Sequence, residues 1–172
     1  MVRAVVIGVC WFGMVSGLAA KDDVYLKPSA FVGQTFRGKK PQAGALKLSG
    51  SMQVEIKTLI GRAYSPQVVR YWTDGKTTAW ILNEIGKTRP ITAGFVLSGG
   101  KIQKVNVLIY RESHGWEVRQ PFFTKQFKGA ELKSGRQMSK RIDNIAGATL
   151  SVRALTKMGK LALYLESQRS KS

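Results

Sequence analysis

Cysteine is nearly missing from this chain. Its one copy, Cys10, lies in an apolar N-terminal run, and there is a single histidine, His114. Beyond that run there is no disulfide framework, no thiolate nucleophile and no thiolate-held metal or iron–sulfur cluster. A lone histidine also leaves a hydrolase short of parts. His114 would have to serve as base for Ser113, Ser151 or Thr149, and no GXSXG elbow frames any serine. Carboxylates are then the main metal ligands left, and neither Asp22 with Asp23 nor Glu112 with Glu117 follows a calcium-loop pattern.

Acidic residues are the second shortage. Ten Asp and Glu stand against 28 Lys and Arg, giving a formal net charge of +18 and a pI near 10.4. Such an excess favours anionic partners: nucleic acid, acidic lipid, an acidic redox protein or a phosphate-bearing cofactor. No run of five or six like charges occurs, so much of the excess reads as a solvated face. Zinc-ligand spacings, ribonucleoprotein signatures and GXXG loops are absent too, so nucleic acid is not an expected partner.

Long apolar runs are confined to the start. Residues 1–20 carry one cation, Arg3, then an apolar stretch over 4–15 and a small-residue exit through Ser16, Gly17, Ala19 and Ala20. This order is that of a secretory signal peptide, too short to span a membrane and stay. The expectation is an exported protein, periplasmic or otherwise extracytoplasmic, and export argues further against nucleic acid.

What remains of the 172 residues suits one domain of ordinary globular composition. Residues 21–50, rich in Gly, Lys, Pro and Ser, show no period and read as an extended lead-in, with Phe31, Val32 and Phe36 tucking onto the domain. Residues 51–167 read as that domain. A short helix over 51–60, capped by Ser51 and closed by Gly61, comes first. From Val68 the period shifts towards two. Runs at 68–73 and 77–85 flank Asp74-Gly75-Lys76, and runs at 91–97 and 101–110 flank Ser98-Gly99-Gly100, which reads as two hairpins. From Val105 onward the odd positions of the last run are expected to face one way. Residues 121–127 form a helical turn or two, and 128–140 a basic surface loop. Over 149–165, Leu150, Ala154, Leu155, Met158, Leu161, Ala162 and Leu165 recur at helical spacing, and the polar tail 166–172 is expected to fray. The class is α+β: an antiparallel sheet of about four strands covered by a long C-terminal helix and shorter helices. Trp72 and Trp80 read as core or strand aromatics.

The start of that last helix carries the chemistry. Thr149 sits in or just before a first helical turn, where backbone N–H groups lack intrahelical partners and the macrodipole is positive, so a phosphate would be stabilised there. Gly147 and Ala148 leave room for it to approach. The plainer alternative makes Asp143 or Asn144 an N-cap, Gly147 a turn and Thr149 an inert first-turn residue.

Asp143, Gly147, Ala148, Thr149 and Ser151 together resemble the flavinylation motif of the FMN-binding domain family, to which subunits of the Rnf complex and of the sodium-pumping NADH:quinone reductase belong. One departure is Ala146, where the family usually has Ser or Thr. Upstream, Gly100-Lys101-Ile102 followed by Tyr110-Arg111-Glu112-Ser113-His114-Gly115-Trp116-Glu117 loosely resembles the family's strand and acidic-glycine loop, so the likeness is strongest over 90–160. The resemblance implies FMN held through a phosphoester to Thr149, attached by a separate FAD-dependent flavin transferase that releases AMP. Asp143 would serve recognition by that transferase or orient its magnesium, and Glu112, His114 and Trp116 would lie near the flavin ring. It further implies an electron carrier and not an enzyme in its own right, with a cytochrome or membrane reductase as redox partner. Peripheral contact with an anionic membrane surface would fit the charge. A competing reading is a non-redox exported binding module whose GAT helix is structural.

Overall fold

The computed structural model describes residues 22–134 and 136–171; residues 1–20, expected to be a signal peptide and with Cys10 among them, lie outside the described residues. Four β-branched and aromatic runs form the centre of one antiparallel sheet: β3 (Val68–Thr73), β4 (Thr77–Ile85), β5 (Pro90–Ser98) and β6 (Lys101–Tyr110). Both hairpins lie where the turn residues put them. Asp74 shapes the first, its Oδ1 accepting the N–H groups of Lys76 and Thr77 at 3.1 and 2.7 Å.

The sheet has six strands, not four, because the segment expected to be an extended lead-in is folded. It supplies both edges: β1 (Asp23–Val24) pairs with β6, β2 (Gln42–Lys47) pairs with β3, and the order is β1-β6-β5-β4-β3-β2. Between them α1 (Pro28–Phe36), started by Pro28 in its first turn, packs against β4 and β5. The segment looked aperiodic because β1 has two residues, β2 is built largely of small ones, and α1 is short. Phe31 and Phe36 are buried with Ala79, Val96 and Leu108 in a second cluster, so both faces of the sheet are covered. A side chain at Gly94 on β5 would collide with the Phe31 ring, its Cβ 2.5 Å from Cζ. That bare backbone is what admits the ring.

The other face carries the main core. Trp80, Leu82, Phe95, Leu97 and Ile102 meet Leu155, Met158, Leu161 and Leu165 of α4 (Thr149–Arg169). Each fully buried leucine contributes about 1.5–3 kcal/mol. The second helix, α2 (Gly50–Ile60), lies alongside α4 through Ile56, Leu59 and Ile60. Its cap is Ser49 and not Ser51: Ser49 Oγ accepts the Met52 N–H at 3.3 Å. Nor does the helix stop at Leu165. Glu166, 8% exposed, accepts from Trp80 Nε1 at 3.0 Å and Thr78 Oγ1 at 3.1 Å and pairs with Arg169 at 2.7 Å, which holds the last turn onto β4.

The expected alternation along β6 breaks before its end. Val107 opposes Ala93 but Ile109 opposes Thr92, so a bulge leaves Leu108 unopposed. Val105 and Val107 face the main core, Leu108 and Ile109 the α1 side, and Tyr110 the main core again. The bulge thus aims Tyr110 at the first turn of α4. After β6, a 3-10 turn (Trp116–Arg119), the one-turn α3 (Pro121–Thr124) and a second 3-10 turn (Lys125–Phe127) bury Phe123 and Phe127. This agrees with the helical turns expected there.

Candidate functional site

No side chain caps α4. Ala148 occupies the N-cap position, Gly147 turns the chain into it at φ +79°, and the first amide bonded back is that of Val152, to Ala148 O at 2.9 Å. The N–H groups of Thr149, Leu150 and Ser151 have no partner among the described residues. Neither Asp143 nor Asn144 takes the capping role, so the helix mouth keeps its donors and its positive end of the dipole.

The loop after β6 is pinned against this mouth. Tyr110 Oη lies 2.5 Å from the His114 carbonyl and 2.8 Å from Ser151 Oγ. A carbonyl can only accept, so the phenol donates to His114 O and Ser151 donates to the phenol. Burial raises the Tyr110 pKa, which the Ser151 bond only partly offsets. Approach is closest at Gly115, φ +89°, where a Cβ would stand 2.7 Å from Ser151 Oγ and 2.9 Å from Tyr110 Oη.

Glu112 braces the opposite wall. Its Oε1 accepts the backbone N–H groups of Lys87, Thr88 and Arg89 at 2.5, 2.7 and 2.9 Å, and Thr88 Oγ1 reaches Oε2 at 3.1 Å. Burial would raise the pKa of this carboxyl, but the N–H donors of Arg89, Thr88 and Lys87 outweigh it and hold the group below the ordinary glutamate range. The carboxylate therefore locks the turn between β4 and β5 in place.

Between these walls opens a cleft of about 630 Å³. Gly147, Ala148, Thr149 and Ser151 line it from the helix side, Glu112 and His114 from the loop, and Lys87 and Thr88 from the turn. The half-buried Thr149 also borders a second groove of about 640 Å³ between α2 and α4. Its Oγ1 accepts Asn144 Nδ2–H at 2.9 Å.

Six of the eight residues expected at the site thus meet around one cleft, although the Ser151 hydroxyl is used to anchor Tyr110. Two do not line it. Asp143 is exposed, its amide bonded to Gln126 Oε1 at 2.7 Å. Trp116 stands outside, 43% exposed, with the Arg119 guanidinium 5.1 Å from its ring and 4.2 Å from that of Tyr25. An indole so placed is not a wall of the cleft. Lys87, Thr88 and Asn144 were missed. The signal for the first two was a Gly-Lys-Thr-Arg turn between strands, which gains meaning only once Glu112 is seen to hold it.

Unbonded helix-terminal donors, small residues around them, a lysine on the rim and a hydroxyl at the mouth fit a phosphate-bearing group. The model of the FMN-binding domain matches residues 86–164, the stretch that holds the motifs resembling that family. The match runs from the turn held by Glu112 to the far part of α4 and includes every residue lining the cleft. No curated protein and no solved structure gives a match.

Proposed function

We propose that this is an exported electron carrier whose FMN is joined by a phosphoester to Thr149 Oγ1. Bound FMN would supply reversible electron uptake and release, so the chain itself needs no catalytic acid or base. Its own residues tether, orient and shield. The Thr149 oxygen is the acceptor: on attachment its O–H bond is exchanged for an O–P bond, the proton leaves, and AMP departs with the broken phosphoanhydride of FAD. Free N–H groups at the start of α4 and the helix dipole receive the phosphate charge. Glu112 keeps the 87–88 wall fixed, and the Tyr110–Ser151 pair keeps the 112–115 wall fixed. Asp143, exposed six residues before Thr149, is left for recognition by the transferase.

The observation that carries this reading is a half-buried alcohol at an uncapped helix mouth, open to a cleft. No side chain caps the helix, so its first donors are left for the phosphate charge. Export rests on the leader sequence, and an acidic cytochrome, a membrane reductase or anionic lipid would suit the basic surface.

Co-expression with an FAD-dependent flavin transferase tests the attachment. Denatured, precipitated protein should stay yellow and weigh more by FMN less water, and Thr149→Val should remove both signals. Colour surviving in that variant would refute the attachment site; colour lost on denaturing the wild type would mean non-covalent binding.

A further inference from the structure

The groove between α2 and α4 is built differently from the cleft on the other side of Thr149. Its floor is apolar, with Leu59, Ile60 and Val152 buried beneath it. Its rim carries Arg153, Lys157 and Lys160 and holds no Asp or Glu. These cations stand at i, i+4 and i+7 on α4, a stripe of roughly 10 Å at 1.5 Å per residue. None of these side chains makes a hydrogen bond or ion pair with a described residue, although Lys157 and Lys160 are half-buried. Unpaired like charges crowded on one stripe cost stability through mutual repulsion, and an anionic partner would relieve it.

Thr149 divides the two spaces. Asn144 lines the groove and not the cleft, and its amide approaches the Thr149 oxygen at 2.9 Å. That side of the oxygen is already occupied, which leaves the cleft side for the phosphate and the groove open.

We propose that the α2/α4 groove is the docking surface for an acidic redox protein. Its carboxylates pair with Arg153, Lys157 and Lys160, and an apolar side chain of the partner seats on Leu59, Ile60 and Val152. The redox character of the partner rests on the flavin reading above; the acidity rests on the groove alone. Docking here brings the partner within a few residues of the flavin tether, and charge complementarity sets the encounter rate.

A plant-type ferredoxin, acidic and one-electron, serves as the probe. Its binding to the full chain, flavin-free and flavin-loaded, is measured by titration at low salt. The triple variant Arg153→Glu, Lys157→Glu, Lys160→Glu is compared with Lys40→Glu, Lys47→Glu, Lys104→Glu, which changes net charge equally at exposed positions elsewhere. The groove triple should weaken binding at least tenfold and the control less than threefold, and bound ferredoxin should protect Lys157 and Lys160 from acetylation. Equal losses in the two triples, or unprotected lysines in the complex, would overturn the groove as the docking surface. In flavin-loaded protein, reduction by ferredoxin should slow in step with the lost binding; an unchanged rate would overturn the redox assignment. If no flavin ever attaches to Thr149, the flavin-free binding and protection measurements still decide the groove.

Discussion

Replacing Glu112 tests whether the site wall is held by one carboxylate. In Glu112→Ala, the N–H groups of Lys87, Thr88 and Arg89 lose an acceptor now at 2.5 to 2.9 Å. Hydrogen bonds to a charged group are worth about 1.5–3 kcal/mol each when shielded, but water can reach this turn and replace much of that, leaving a net loss of about 2–3 kcal/mol. At about 2–4 °C per kcal/mol for a chain of this size, the midpoint should fall by roughly 4–12 °C. Glu112→Gln keeps one acceptor oxygen and should lose about half as much. The effect carries a pH signature. The folded pKa lies below the ordinary value, so the stabilisation is complete above about pH 4.3 and is lost as pH falls through the folded value. Thermal melts of the wild type and the Gln variant should therefore differ at neutral pH and converge as pH falls through the lowered folded value. An Ala variant melting within about 1 °C of wild type, or a Gln difference unchanged by acid, would refute the bracing role.

Gly115→Ala places a Cβ against Ser151 Oγ and Tyr110 Oη in a left-handed backbone; it should cost about 1–3 kcal/mol in denaturant unfolding and lower flavin loading. Glu166→Ala strips the buried Trp80 Nε1–H of its acceptor and should cost about 2–4 kcal/mol, read by chemical denaturation with a shift in tryptophan emission. Asn144→Ala frees the Thr149 oxygen from its donor; flavin attachment followed by intact mass should slow several-fold, with the melting point unchanged. Loss of stability in that variant would recast Asn144 as structural.

Periodicity was a good guide where each element owns a face. The bounds of β3, β4 and β6 and the start of α4 at Thr149 follow from apolar spacing and Gly-rich turns, since those strands cross the whole core. The N-terminal segment was illegible because it borrows its order. Two residues of β1 pair with a finished edge, and α1 is anchored by Phe31 over a glycine on another strand. Caps were read too close to the apolar run, hence Ser51 for Ser49. At the site, Gly147, Ala148 and Thr149 are contiguous and announce themselves, and Glu112 and His114 were reached through the resemblance. The turn at Lys87 and Thr88 was hidden because its role depends on a carboxylate about 25 residues away. Sequence proximity to Glu112 says nothing of which side of the loop the Trp116 ring leaves, and the ring does not line the cleft.

Leu108 is one residue more than the β6 ladder can count, and its surplus has a use. The carbonyl it pushes out of register accepts the N–H groups of Tyr25 at 2.9 Å and Leu26 at 3.2 Å, while its side chain fills the space beneath α1. Removing it would leave Val107 opposite Ala93 and Ile109 opposite Thr92, so the flavin side would keep its register. The N-terminal wrap would lose one of its fastenings and keep the pairing of β1 with Ile109 and Tyr110. The bulge thus acts as a rivet between the sheet and the segment that supplies both of its edge strands and covers one of its faces.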